Sequence, residues 1–239
     1  MLKKNTFSVC IPLTGETGEA LLAEIDAALT QTPDFLEWRR DYFKEEEPAA
    51  EAAVLKKLAG CGVGVIYTFR AAAEGGVCDV CDADRLAAIS RCVTAGAADY
   101  IDVELDSAPD FFQAVRNILS DSNCKLLLSH HNFERTYAME ETVEILRRME
   151  AAGAEVLKLA MTPKNREDLR REITAVQNYS LACDKPIVMI AMGDLGKITR
   201  LIPDILGGSL SYASGRTGTA PGQMTVAEIR AARQALGVD

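Results

Sequence analysis

The chain has 239 residues, 48% of them apolar and 26% charged, a composition that suits a globular protein with a sizeable core. It contains no window of about 20 uncharged apolar residues and no basic stretch followed by an apolar run and a cleavage site, so the expectation is a cytoplasmic protein away from membranes. The net charge is -9 and the basic residues are scattered among acids, which argues against a nucleic-acid partner and leaves any anionic ligand to local arginines.

Short β-branched or apolar runs predict eight strands: 7–13, 35–41, 63–69, 100–105, 125–131, 156–161, 186–192 and 208–214. Between them the spacing is helical, as in Leu22, Ile25 and Leu29, then Leu86, Ile89 and Val93, then Met139, Val143 and Leu146, and Leu169, Ile173 and Val176. Thr162 before Pro163 reads as an N-cap with a first-turn proline, and Thr225 with Glu228 as a capping box opening the last helix. The run Glu45-Glu46-Glu47 reads as the acidic first turn of a surface helix.

Strand starts lie 22 to 37 residues apart, the length of one βα unit, and no linker divides the chain. Eight such units near the usual ~250 residues predict one domain over 1–239, an α/β (β/α)8 barrel of the TIM type. An open doubly wound sheet would carry a glycine-rich phosphate turn after its first strand, where this chain has only Gly15 and Gly18.

Barrel strands are covered on both sides and should be apolar throughout. Several here are not. A period of two puts Glu37, Arg39 and Asp41 on one face against Leu36 and Trp38 on the other, and likewise groups Thr68 with Arg70, Asp102 with Glu104, and Ser129 with His131. Such charges are costly to bury unless paired, so a mutual ionic network is expected near the C-terminal strand ends, either as a structural layer or as a catalytic pocket.

Among ten lysines, Lys158 alone lies in the interior of a strand, grouped by parity with Val156 and Ala160. A lysine held there can present a neutral, nucleophilic amine to a ketone and form an imine, or it can simply be neutralised by Glu104 or Asp102. His130 and His131, the two histidines of the chain, end the fifth strand with side chains on opposite faces; one can move protons beside such a lysine.

Other signals are weaker. Cys78 and Cys81 make a single C-x-x-C without a second pair to complete a zinc site, so no metal is expected, and the seven cysteines read as buried thiols in a reducing compartment. The glycine-rich stretch 215–223 lies where barrels hold anions, although an ordinary surface loop would look the same.

Taken together, the motifs resemble type I 3-dehydroquinate dehydratase along nearly the whole chain. Glu37-Trp38-Arg39 with Asp41 is similar to the family's E-W-R-x-D strand, and Thr68-Phe69-Arg70 with Glu74-Gly75-Gly76 to its T-F-R-x-x-x-E-G-G segment. Ser129 to Phe133 resembles its S-x-H-D-F strand end, Val156 to Ala160 its lysine strand, Met192 to Arg200 its M-x-x-x-G-x-x-S-R stretch, and Ala220-Pro221-Gly222-Gln223 its A-P-G-Q loop.

The resemblance implies dehydration of 3-dehydroquinate to 3-dehydroshikimate in the shikimate pathway of aromatic amino acid biosynthesis, by a homodimer without metal or cofactor. By the same resemblance Lys158 forms a Schiff base with the ring ketone, His131 is general base and acid, and Glu74 orients it. Glu37, Arg39, Arg70, Arg200, Thr219 and Gln223 would bind substrate. Asn132, Thr199 and Thr219 depart from the family's Asp, Ser and Ser.

Two rivals remain at this point. A class I aldolase-like enzyme would also use a strand lysine, but Glu37-Trp38-Arg39 and the Ala220 to Gln223 loop favour the dehydratase. A binding paralogue without turnover would have no need of a nucleophile beside a proton carrier.

Overall fold

The computed structural model describes residues 1–215 and 222–238. Eight strands alternate with helices: β1 (Val9–Leu13), α1 (Gly18–Leu29), β2 (Phe35–Arg39), α2 (Pro48–Ala59), β3 (Gly64–Thr68), α3 (Asp82–Thr94), β4 (Tyr100–Glu104) and α4 (Pro109–Leu119). They continue as β5 (Lys125–Asn132), α5 (Met139–Ala151), β6 (Val156–Met161), α6 (Arg166–Ala182), β7 (Ile187–Ala191), α7 (Lys197–Leu201), β8 (Ser211–Tyr212) and α8 (Val226–Leu236). Hydrogen-bonded neighbours run β7-β6-β5-β4-β3-β2-β1-β8 in one sheet, and the fold class is the (β/α)8 barrel.

Contacts group the chain into two compact units, Ile11–Leu127 and Met1–Cys10 with Leu128–Asp239. In the first, the apolar parity of β2 is realised: Leu36 and Trp38 are fully buried, and the Trp38 ring meets those of Phe43 and Tyr67 edge-on. Helix α1 starts because the Thr17 hydroxyl accepts from Ala20 N, and it buries Leu21, Ile25 and Ala28 along one stripe. In the second unit, α8 opens with the expected reciprocal Thr225–Glu228 capping box.

Several sequence expectations need correction. Helix α6 begins at Arg166, capped by the Asn165 side chain on Asp168 N, whereas Thr162 precedes it and donates to Asn132 O. The acidic run lies before α2, where Glu47 is the N-cap residue and Glu45 accepts from Gly18 N at the head of α1. The second strand stops at Arg39 and tightens into a 3-10 turn over Arg40–Tyr42, and of 208–214 only Ser211 and Tyr212 carry the ladder. Of the cysteines, Cys10, Cys92 and Cys183 are buried, Cys81 is exposed, and the others lie between. None of the described helices is long and apolar enough to cross a membrane.

Candidate active site

In the unit spanning Ile11–Leu127, parallel register aligns Arg39 with Thr68 and Thr68 with Asp102 across the ends of three strands. Thr68 and Asp102 are almost wholly buried, as are Glu37 at 4%, Arg70 at 3% and Glu104 at 3% exposure, while the Arg39 side chain keeps 13%. The expected ionic network forms. Thr68 Oγ1 donates to Glu37 Oε1 at 2.9 Å, and the Arg70 fork reaches Asp102 at 2.8 Å and Glu104 at 3.0 Å. Arg85 of α3 donates to the second Glu104 oxygen at 2.6 Å, and Ala71 N donates to the first at 2.8 Å.

Burial opposes the charge on Arg70, but Asp102, Glu104, Glu74 and Glu37 more than offset it and raise its pKa. Burial likewise pushes Glu104 up, yet Arg70, Arg85 and Ala71 N together hold it below the usual carboxylate range. Arg39 and Asp41 form a two-pronged pair at 2.9 and 2.7 Å, so the grouping of these two survives the end of the strand.

Glu74 closes a 3-10 turn over Ala72–Glu74, and the two glycines after it have physical reasons. Gly75 has φ 87°, and any side chain at Gly76 would strike the Arg70 carbonyl. The turn is fastened to the end of β2, with Arg39 donating to Gly75 O at 3.4 Å and Val77 N to Asp41 at 3.3 Å.

In the unit that includes Leu128–Asp239, Lys158 sits mid-strand in β6 at 4% exposure, paired in register with Val188 of β7. Its Nζ donates to the Tyr212 hydroxyl at 3.1 Å and lies 4.6 Å from the centre of that ring. Arg200 lies in the last turn of the five-residue α7, is 1% exposed, and donates from Nη1 to Tyr212 O at 3.1 Å. Burial pulls its pKa down to about 10. Helix α7 is pinned by Thr199, whose hydroxyl accepts from Ala191 N at 3.1 Å and donates to Gly196 O at 2.8 Å, so threonine serves this position fully.

The two histidines at the end of β5 have different neighbours. His130 Nε2 pairs with the Tyr137 hydroxyl at 2.9 Å, while the His131 ring stacks near that of Phe133. Asn132 donates to the same hydroxyl at 2.8 Å and accepts from Glu134 N and Arg135 N, both at 3.0 Å, which makes it the hinge of the turn out of the strand. Gln223 is half-buried and follows Gly222, whose φ of 78° and close approach to the Gly193 carbonyl admit no side chain. Thr219 lies outside the described residues.

Tyr212 was not singled out by sequence reasoning. The signal available was an aromatic hydroxyl inside the eighth apolar run, a strand whose inward face the charge pattern does not mark.

A family model described as Type I 3-dehydroquinase matches residues 9–239. A 3-dehydroquinate dehydratase of Aromatoleum aromaticum is 32% identical over 232 residues, covering 95% of this chain and 89% of that protein. One from Shouchella clausii is 33% identical over 226 residues, covering 93% and 88%. Among solved structures, the 3-dehydroquinate dehydratase of Geobacillus kaustophilus has a TM-score of 0.89 at 29% identity, covering 96% of this chain and 91% of its own. A type I 3-dehydroquinate dehydratase from Clostridium difficile with covalently modified comenic acid reaches 0.89 at 27% identity, covering 99% and 93%. Fold, motifs and relatives agree, and the chain belongs to the type I 3-dehydroquinase family of 3-dehydroquinate dehydratases.

Proposed function

We propose that this chain, acting as one catalytic domain, dehydrates 3-dehydroquinate to 3-dehydroshikimate through a Schiff base on Lys158. The observation that carries the reading is a buried lysine in the middle of a strand whose amine meets the hydroxyl of Tyr212. The Lys158 amine adds to the ring ketone and water leaves, giving an imine. His131 takes the proton from the neighbouring carbon, and that electron pair moves toward the imine nitrogen. The enamine electrons then return to expel the hydroxyl on the next carbon, which departs as water with the proton from His131. Hydrolysis of the imine releases the enone and restores the amine.

Glu74 is assigned to orient His131. Glu37, Arg39 and Arg70 hold ring hydroxyls and the reaction centre, a role supported by the partners that fix each of them, Thr68, Asp41 and Asp102. Arg200 takes the substrate carboxylate with Gln223, because a buried guanidinium is stabilised by an anion brought to it. Thr219 completes the set on the resemblance alone, as does a homodimer, and a cytoplasmic location is the expectation from the sequence.

Ultraviolet absorbance tests the reading, since elimination creates a conjugated enone that the substrate lacks. Wild type mixed with 3-dehydroquinate should form it promptly, and Lys158→Ala should not. No enone from wild type at any pH would sink the assignment.

A further inference from the structure

We propose that Tyr212 is a catalytic residue whose hydroxyl carries a proton from Lys158 Nζ to the ketone oxygen as the amine adds. The inference rests on the reading of Lys158 as the imine-forming amine.

The geometry comes first. Tyr212 Oη is 3.1 Å from Lys158 Nζ, and Nζ lies 4.6 Å from the ring centre, so the amine sits at the hydroxyl end of the ring. Each of the two residues is 4% exposed. The tyrosine is also held at its backbone. Arg200 Nη1 donates to Tyr212 O at 3.1 Å, Ser211 N donates to Ser8 O at 2.8 Å, and Ala213 N donates to Cys10 O at 2.9 Å. A buried ring on a backbone tied on both sides of it has little freedom to turn away from the amine.

The chemistry follows from that placement. When the Lys158 lone pair adds to the ketone carbon, the carbon–oxygen π pair moves onto oxygen. The product has an ammonium-like nitrogen and an alkoxide on the same carbon. One proton must pass from nitrogen to oxygen before the hydroxyl can leave. A phenol hydrogen-bonded to the nitrogen can reach the oxygen two bonds away, and it both accepts and donates. It takes the N–H proton while giving its own to the alkoxide. The phenol ends as it began, and the neutral carbinolamine needs no other reactant. In so buried a place this fixed hydroxyl replaces a relay through bulk water.

Single-turnover mixing with 3-dehydroquinate, quenched with borohydride and read by mass spectrometry at Lys158, tests this. Tyr212→Phe, which removes only the hydroxyl, should slow capture of the imine about tenfold or more with little change in substrate affinity. Capture by wild type should run slower in deuterium oxide, and the isotope effect should disappear in Tyr212→Phe. Capture by Tyr212→Phe at the wild-type rate, or a wild-type rate indifferent to deuterium oxide, would overturn the relay while leaving Lys158 as the imine former. Failure of wild type to be captured at Lys158 would instead remove the parent reading and this inference with it.

Discussion

Arg200 is a cation kept where its charge is opposed, 1% exposed and with burial lowering its pKa to about 10. A substrate carboxylate is the group whose arrival would reverse that opposition. Arg200→Met should therefore raise KM about 10- to 100-fold, the worth of a hydrogen bond to a charged group, with a smaller effect on kcat. An unchanged KM would exclude Arg200 from the substrate. Residues of this kind were legible in sequence when a charge stood on a face that should be apolar, as with Lys158, Glu37 and Arg70. Tyr212 was not, because a tyrosine in an apolar strand breaks no pattern; only the 3.1 Å contact reveals it. Asn132 looked like a lost charge, yet it makes three local hydrogen bonds that shape the turn after β5.

At the scale of elements, α6 carries an internal cost. Glu172 is fully buried in it, neither carboxylate oxygen has a hydrogen-bond partner, and burial alone pushes its pKa well above the usual carboxylate range. The native state keeps this proton, while the unfolded chain releases it above about pH 4.3. Unfolding then releases a proton, so stability falls as pH rises, by about 1.4 kcal/mol per unit until the native pKa is reached. Glu172→Met should stabilise the protein at pH 8 much more than at pH 5 in denaturant titrations. An equal gain at both would show that the carboxyl is ionised in the native state. The same helix shows why its start was misread: Thr162-Pro163 and Asn165 with Asp168 are both capping sequences, and only the chain path out of β6 selects the second.

At the scale of the whole molecule, all eight strands were visible as apolar runs because helices cover a barrel strand and leave it little polar surface. Their ends were less visible, since Phe7 and Ser214 belong to apolar or extended chain that carries no ladder. The folded protein is also bounded in pH from both sides. Glu104 has its pKa lowered by Arg70, Arg85 and Ala71 N against burial, so its contribution is present above an unfolded value near 4 and is lost as pH falls through the native one. Glu172 acts in the opposite sense on the alkaline side. Tm should pass through a maximum in mildly acidic solution, and Glu172→Met should flatten the alkaline limb only; a Tm rising steadily to pH 9 would contradict the Glu172 assignment.

The seam between the start of the chain and β8 has a kinetic meaning. Asn5 N donates to Ser209 Oγ across 204 positions of sequence, Val9 and Cys10 pair with Ser211 and Tyr212, and the Phe7 ring lies under the Arg233 guanidinium at 3.6 Å. Segments so far apart meet only after a large loss of chain entropy, so this register forms late, although its first half is synthesised well before its second. Interactions made after the folding barrier govern how fast the native state comes apart. Reinforcing this seam would lengthen the lifetime of the folded enzyme while leaving its rate of folding almost unchanged.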